Sequence, residues 1–170
     1  MEPFIIDTKT IVLLLTTLLT GLLAGIFFTW TNAVTPGIGH LDDINYLRAF
    51  QNMNRSIVNP LFLIVFLGPV LLSFVTVYLY KSNHHYILWL LLLAAIIYLI
   101  GVFLITIMGN IPLNSLLDKT DLTNITLEDA KSLRDQFEVK WNFLHLIRTI
   151  TATLSFLLLI IVCLFKNCSF

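Results

Sequence analysis

The last long apolar run of the chain opens with KWNFLHLIR at residues 140–148 and continues to about Phe165. A run of this length is typical of a helix that spans a membrane. Within it, Trp141, His145 and Arg148 follow one another at spacings of four and three residues, which places them on one helix face. An ionisable side chain at the centre of a bilayer costs about 2.5–3.5 kcal/mol on insertion scales. We therefore expect this face to point into the protein, toward other polar groups.

Three further apolar runs precede this one, at about residues 8–30, 61–80 and 86–108. Hydrophobic residues make up 58% of the chain and charged residues 12%, which is typical of a membrane protein rather than a soluble domain. No basic region precedes the first run, so we interpret it as a membrane helix and not as a cleavable signal. The ten basic and ten acidic side chains balance and do not indicate a nucleic acid partner. The sequence predicts a single integral membrane domain over residues 1–170, surrounded by membrane lipids.

The first long connection, between the first and second spans, contains an amphipathic helical pattern. Its apolar residues recur at helical spacing over residues 44–61. Asn54 lies on the same stripe, and Arg55 is adjacent to it. We expect this helix to lead directly into the second span, with a bend at Pro60.

The second long connection leads from the third span into the fourth. The third span is expected to end within NIPLN at residues 110–114, because the residue before a proline avoids the helical conformation. Thr126–Leu127–Glu128–Asp129 resembles a capping box and begins a helix that runs unbroken into the fourth span. Pro36–Gly37 likewise predicts a loop over residues 31–40 after the first span. Together these patterns predict an all-α fold, a four-transmembrane-helix bundle with amphipathic helical extensions in loops 1 and 3.

Four spans place both termini on one side of the membrane and both long connections on the other. The short connection and the tails carry Lys9, Lys81 and Lys166 with few acidic residues. Short segments weigh most in the positive-inside rule. We therefore expect the termini to be cytoplasmic.

All four predicted spans bring polar or aromatic side chains to the same end of the bundle, next to the long connections. A set drawn from every helix predicts a pocket that opens toward these connections and is lined by aromatic residues. Two arginines in it favour an anion, a phenolate or a quinone carbonyl, and a histidine can exchange a proton near neutral pH. The candidate residues are Trp30, Asn54, Arg55, Asn110, Asn114, Trp141, His145 and Arg148.

Several of these residues also have a purely structural interpretation. Trp30 suits the membrane interface, and Asn110 and Asn114 can satisfy free backbone groups at a helix end. Arg148 can extend its guanidinium to the interface, and His145 can bond a neighbouring helix. The sequence leaves both interpretations open.

Other chemistry-bearing residues do not form a recognisable site. The chain has no H-E-x-x-H, G-x-S-x-G or phosphate-loop motif. His84 and His85 lack a third ligand nearby in the sequence, and we interpret them as a polar turn. Cys163 and Cys168 cannot form a thiolate zinc site on their own. We therefore expect neither a metal nor a cofactor.

A set of short motifs adds a further indication: GLLAG at residues 21–25, Pro36–Gly37, Asn54–Arg55, NIPLN at residues 110–114, and Trp141 with Arg148. This set resembles the anthrone-oxygenase-like family over nearly the whole chain, and the Asn-x-Pro-x-Asn element followed by Trp and Arg is its most specific part. The resemblance implies a small four-span membrane protein. Most such proteins are bacterial and described as a domain of unknown function, so a bacterial inner membrane is expected. Fungal members are associated with oxidising an anthrone to an anthraquinone with dioxygen, but the resemblance implies no established catalytic residues.

The resemblance and the residues together suggest a cofactor-independent oxygenase that acts on anthrone-, polyketide- or quinol-like substrates. In this hypothesis His145 removes a proton from an acidic carbon of the substrate. Arg148 and Arg55 stabilise the resulting enolate oxygen, and Asn110 or Asn114 donates a hydrogen bond to it. The enolate then reacts with dioxygen.

The alternative is a non-catalytic membrane protein that holds a lipid, a quinone or a partner helix at the same pocket. A transporter subunit is disfavoured, because the polar residues cluster at one end and do not reach the bilayer midplane. The expected ligand is a small aromatic or quinone-like molecule. The sequence does not indicate an oligomeric state.

Overall fold

The computed structural model of the protein describes residues 7–165, so Lys166 and Cys168 lie outside the described range. Within residues 7–165 the chain is helical apart from short connections and contains no strand. The α-helices are α1 (Thr8–Thr29), α2 (Thr35–Gly39), α3 (Asp43–Ile57), α4 (Pro60–Tyr80), α5 (His85–Tyr98), α6 (Ile111–Lys119) and α7 (Leu127–Phe165). The π-helical segments are Trp30–Val34, Leu99–Leu104 and Thr106–Asn110.

In the described part of the chain, four helical stretches are long and apolar enough to cross a membrane. They are Thr8–Gly39, Pro60–Tyr80, His85–Lys119 and Leu127–Phe165. The helix α1 packs against α4 and α7, and α5 packs against α4 and α7. Large apolar side chains also cover the outer faces of these helices, as expected where the solvent is lipid. The predicted all-α bundle of four membrane helices is confirmed.

The first and third membrane helices continue further toward the long connections than the sequence predicts. Pro36 follows the π-helical segment Trp30–Val34, and Pro112 follows the π-helical segment Thr106–Asn110. A π-helical turn is wider than an α-helical turn, and we attribute the continuity to the extra room that it gives the proline ring. The predicted loop over residues 31–40 is therefore wrong for most of its length. The third helix likewise does not end before its proline.

The bend expected at Pro60 is a complete break between α3 and α4. Val58 leaves the helical conformation, and Asn59 is extended, as residues before a proline usually are. The side-chain oxygen of Asn59 accepts a hydrogen bond of 3.0 Å from the backbone N–H of Phe62 and so caps α4. Because of this break, α3 packs against α6 and α7.

The last helix, α7, is unbroken over 39 residues, as the sequence predicts. The backbone N–H of Asp129 donates a hydrogen bond of 3.1 Å to Oγ1 of Thr126, which is the capping contact that the sequence indicates. At about 1.5 Å per residue, α7 is roughly 58 Å long, about twice the thickness of the hydrocarbon core. The N-terminal part of α7 therefore extends beyond the membrane.

The helices α3 and α6 and residues 127–140 of α7 form a layer over one end of the bundle, which we call the roof. Polar contacts join its parts: Gln51 Nε2 donates to the carbonyl oxygen of Leu117 at 2.9 Å, and Arg48 donates to that of Leu122 at 3.0 Å. The amphipathic extensions predicted for loops 1 and 3 thus pack against each other. Their buried apolar cluster consists of Tyr46, Leu47, Phe50, Leu117, Leu122, Ala130, Phe137 and Trp141.

Candidate functional site

A cavity of about 180 Å³ lies where the roof meets the membrane helices. All four membrane helices and α3 contribute to its wall. Most of the lining is apolar or aromatic, as is usual for sites that bind small organic molecules. The polar or predicted residues in the lining are Trp30, Asn54, Thr106, Asn114, Trp141, His145 and Arg148.

His145 is buried, and both of its ring nitrogens are engaged. Nε2 lies 3.1 Å from the carbonyl oxygen of Phe27 on α1, and Nδ1 lies 2.8 Å from Nη2 of Arg148. A carbonyl oxygen only accepts and a guanidinium only donates, so Nε2 carries the ring hydrogen and Nδ1 accepts. His145 is therefore neutral in this arrangement and holds Arg148 in position.

Arg148 is 6% exposed and does not extend to the membrane interface. Its Nη1 donates to Thr106 Oγ1 at 3.2 Å, and its guanidinium lies 4.7 Å from the centre of the Phe27 ring. No carboxylate among residues 7–165 forms an ion pair with Arg148. Within the same range, its Nε has no hydrogen-bond partner. The described surroundings of this cation are thus neutral.

Trp141 forms an aromatic wall of the cavity. Its ring stacks on that of His145, with centroids 4.7 Å apart and an angle of 18° between the planes. Its Nε1 donates to Asn114 Oδ1 at 2.7 Å, and its carbonyl oxygen accepts from Asn110 Nδ2 at 3.4 Å. The ring of Trp30 lies beside it, 5.6 Å away. Asn114 therefore fixes an indole against which a flat ligand can lie, whereas Asn110 contacts the backbone of the same residue.

Asn54 adds a second polar group to the cavity wall from the roof side. Its Nδ2 is buried and forms no hydrogen bond with any described residue. We call Nδ2 of Asn54 and Nε of Arg148 the open donors, because each is buried and has no hydrogen-bond partner among the described residues. Both are N–H groups, so they match a ligand oxygen that accepts hydrogen bonds, and the guanidinium favours an oxygen that carries negative charge.

Two of the predicted residues do not line the cavity. Arg55 Nε bonds to Asp118 Oδ1 at 2.6 Å on the surface of the roof, where the two side chains are 57% and 50% exposed. Successive residues of an α-helix point about 100° apart, so the rotation of α3 that turns Asn54 inward turns Arg55 outward. Asn110 is buried, but it reaches the site only through its contact with Trp141.

Sequence reasoning missed Thr106 and the carbonyl oxygen of Phe27. Thr106 is the only polar side chain in residues 99–108, and this isolation is a signal that could have identified it. No side-chain pattern marks the carbonyl of Phe27. The π-helical winding that begins three residues later, at Trp30, does mark this region, because such distortions are frequent at functional sites.

The residue types in the lining define what the site can hold. The lining contains no Asp, Glu or Cys. Among residues 7–165, no group of three or more His, Cys, Asp or Glu side chains is placed to hold a metal ion. What the lining offers is a cation, an amide N–H and aromatic faces, which together suit an aromatic molecule with an acidic oxygen.

A family model described as anthrone oxygenase matches residues 61–158. The match begins at the start of α4 and ends within α7, so it includes most of the cavity wall. Trp30 and Asn54 lie outside it. No curated protein and no solved structure matches the chain.

Proposed function

The chain belongs to the anthrone oxygenase family, and on that premise we propose that it is a membrane-embedded oxygenase acting on anthrone-, polyketide- or quinol-like substrates. The family model covers more than half of the chain, from the second membrane helix into the fourth. Substrates of these classes share a weakly acidic hydrogen next to an aromatic system. Loss of that proton leaves an anion whose charge rests largely on oxygen, and a protein can stabilise that oxygen.

The observation that carries the proposal is a buried cation with an open donor beside an aromatic wall. Arg148 is held by His145 and Thr106, and its Nε is buried without a partner among the described residues. A ligand oxygen that draws the guanidinium into the cavity would supply that partner. Donors placed where negative charge develops supply a large part of the rate acceleration in many enzymes. We propose that Arg148 Nε and Asn54 Nδ2 bind the oxygen of the substrate while Trp141 supports its ring.

The reaction proposed for an anthrone-like substrate consumes dioxygen and produces water. A base removes one proton from the CH₂ group, and the carbanion gives its electron pair to dioxygen, which forms a C–O bond. The peroxide anion takes the proton back and becomes a hydroperoxide. Loss of water then breaks the O–O bond and the second C–H bond and leaves a carbonyl. In total, CH₂ and O₂ become C=O and H₂O, and dioxygen is the oxidant.

His145 is the candidate base, acting through Nδ1. That nitrogen accepts a hydrogen bond of 2.8 Å from Arg148, so it has to be released before it can take a proton. We propose that the substrate oxygen draws the guanidinium toward itself. Nδ1 is then free only when substrate is bound, which prevents protonation of the base in the unoccupied site.

Oxygen consumption by the purified protein with a simple anthrone tests this function. Arg148→Gln keeps N–H donors but loses the charge, and we expect it to slow turnover by about 10²–10³-fold, the usual effect of losing an oxyanion donor. His145→Gln should lower kcat more than it raises KM, because a base contributes to the chemical step rather than to substrate binding.

The control for these variants is Trp89→Phe, an exposed position on α5 that does not line the cavity. It should leave the rate unchanged. If the folded Arg148→Gln and His145→Gln proteins both consume oxygen at the wild-type rate, the assignment of these roles is contradicted.

A second candidate is a non-catalytic protein that holds a quinone or a lipid in the same cavity. One observation favours it: both ring nitrogens of His145 are engaged, so the base is not ready in this arrangement. Mass spectrometry of the purified protein distinguishes the candidates. An aromatic molecule that co-purifies with the wild type but not with Arg148→Gln, without any oxygen consumption, would favour the binding function.

We also propose that the cavity end faces away from the cytoplasm of a bacterial cell. Lys9 and Lys81 belong to the opposite end, where positive residues favour the cytoplasmic side. A reporter that is active only in the cytoplasm, fused after Phe170, should be active. If this reporter is inactive, and a reporter that works only in the periplasm is active at the same position, the orientation is the opposite one.

A further inference from the structure

We infer that the ligand enters the cavity sideways from the membrane and is a lipophilic molecule that places one oxygen-bearing ring inside the cavity. This inference rests on the proposed oxyanion site and adds to it a route and a size class. It follows from three features: the residues at the opening, the closure of the roof, and the volume of the cavity.

The exposed residues of the cavity lining are all apolar. They are Val58 at 68%, Leu63 at 41% and Ile111 at 43% exposure, and we call them the mouth. The helix α4 has 21 residues and begins immediately after Val58 and Asn59. Its length of about 32 Å matches a hydrocarbon core of about 30 Å, so its first turn lies near the edge of the core. An opening that is lined by apolar side chains and lies near the edge of the hydrocarbon core faces lipid.

The roof closes the side that faces water. The ring of Phe50 lies 4.7 Å from that of Trp141 and 4.8 Å from that of Phe137, both at nearly right angles. Trp141 lines the cavity, and Phe50 and Phe137 pack behind it in the buried cluster of the roof. Arg55 and Asp118 add an ion pair between α3 and α6. A ligand arriving from water would have to separate these groups, whereas a ligand arriving from lipid meets only the mouth.

The cavity volume limits what fits behind the mouth. A cavity of about 150 Å³ is known to hold one benzene molecule, and this cavity measures about 180 Å³. One substituted ring therefore fits against Trp141 with its oxygen at the open donors. In a fused system of three rings such as an anthrone, the remaining rings would extend into the mouth. Any further part of the ligand remains among the lipid chains, which accept it only if it is apolar.

The test uses the full-length protein in lipid vesicles and two brominated phenols with the same ring. One carries a ten-carbon alkyl chain and dissolves in the bilayer, and the other carries a sulfonate and stays in water. Bromine quenches tryptophan fluorescence on contact. The chain has three tryptophans, and Trp89→Phe in every protein leaves Trp30 and Trp141, both in the cavity wall. The signal of binding in the cavity is the part of the quenching that saturates with phenol concentration and is absent in the Arg148→Gln protein.

The expected result has two parts. The alkyl phenol produces this Arg148-dependent quenching, and the sulfonated phenol does not. Filling the mouth with Val58→Phe or Ile111→Phe slows the onset of quenching at least about tenfold, whereas Leu61→Phe and Met108→Phe do not slow it. These control positions are exposed neighbours of the mouth that do not line the cavity. Val58 lies in the break between α3 and α4, and Ile111 is the first residue of α6, so each variant provides an independent test.

Two other results would overturn the inference and are distinguishable from each other. Equal Arg148-dependent quenching by the sulfonated phenol, unaffected by the mouth variants, would establish a route from water and leave the oxyanion site intact. Absence of Arg148-dependent quenching by either phenol, in protein shown to be folded, would overturn both the site and the route.

Discussion

The roof partly buries one arginine of α7 and the cavity fully buries another, and the two are surrounded by opposite chemistry. Arg134, in the roof, bonds to Glu138 at 2.8 Å and to Asp43 at 3.0 Å. It also donates to the carbonyl oxygen of Gly39 at 2.7 Å. Arg148, in the cavity, has histidine, threonine and aromatic faces around it and forms no ion pair with a described carboxylate.

Under the proposed function, the difference separates a charge that serves folding from a charge that serves ligand binding. An arginine that is neutralised by two carboxylates stabilises the fold, and its removal leaves two acids without their partner. An arginine that is buried at membrane depth without an anion is costly for folding. Its presence is explained if a ligand supplies the anion. The following predictions test this division, beginning with the largest expected effect.

Arg148→Lys sharpens the comparison because it keeps the charge but replaces the guanidinium, with its Nε donor, by a single ammonium group. A hydrogen bond to a charged group contributes about 1.5–3 kcal/mol, which corresponds to about a 10- to 150-fold lower rate of oxygen consumption. Arg134→Lys is the matched control and should leave the rate unchanged. If both lysine variants retain the full rate, charge alone is sufficient and the open donor on Arg148 has no role.

Arg134→Gln should have the opposite profile, lower stability with normal turnover. Losing its charged hydrogen bonds should cost about 2 kcal/mol, which for a chain of this size lowers the melting temperature by about 4–8 °C. Thermal unfolding in detergent, measured beside the rate at a temperature where the variant is folded, checks both. A normal melting temperature together with slow turnover would remove the distinction between the two arginines.

Thr106→Val removes one neutral partner of Arg148 and keeps a side chain of similar shape. Nη1 of Arg148 then loses its acceptor at 3.2 Å, and a net loss of about 0.5–1.5 kcal/mol lowers the rate by about 2- to 12-fold. Thr76→Val is the control, because Thr76 contacts Thr16 far from the cavity. Equal rates for the two valine variants would contradict the positioning role of Thr106.

Arg55→Ala should have the smallest effect. Its ion pair with Asp118 is well exposed, and pairs of this kind contribute about 0.2–1 kcal/mol and are weakened by salt. We expect a slightly lower melting temperature at low salt, no difference at high salt and an unchanged rate of oxygen consumption. A large loss of rate would show that Arg55 contributes to the reaction, as the sequence suggested.

The fold was predictable because one large effect dominates it. In lipid, every backbone polar group needs an internal partner, so a long apolar run has few alternatives to a helix. The start of α7 was also predictable, since the cap between Thr126 and Asp129 is local in sequence. What the sequence could not indicate was the winding of the backbone at Pro36 and Pro112. The rule that a helix ends before proline assumes α-helical turns, and these turns are π-helical.

The site was predictable only where a single helix determines it. Trp141, His145 and Arg148 share a face by spacing alone, and the structure places all three in the cavity wall. Which of Asn54 and Arg55 points inward depends on how α3 rotates against α7. That rotation results from the packing of α3 against other helices, and the sequence of α3 alone does not determine it.

The π-helical turn at Thr106–Asn110 determines which changes in chain length the site tolerates. A π-helical turn accommodates about one residue more than an α-helical turn. Deleting one residue inside this turn is therefore absorbed by a return to α-helical winding, which leaves α6 in nearly the same orientation. Deleting one of residues 111–113, which are already α-helical, would instead rotate Asn114 by about 100° relative to Thr106. Asn114 would then turn away from Trp141, and the indole would lose its hydrogen bond. We expect a single deletion to be tolerated before Asn110 and to disrupt the site after it.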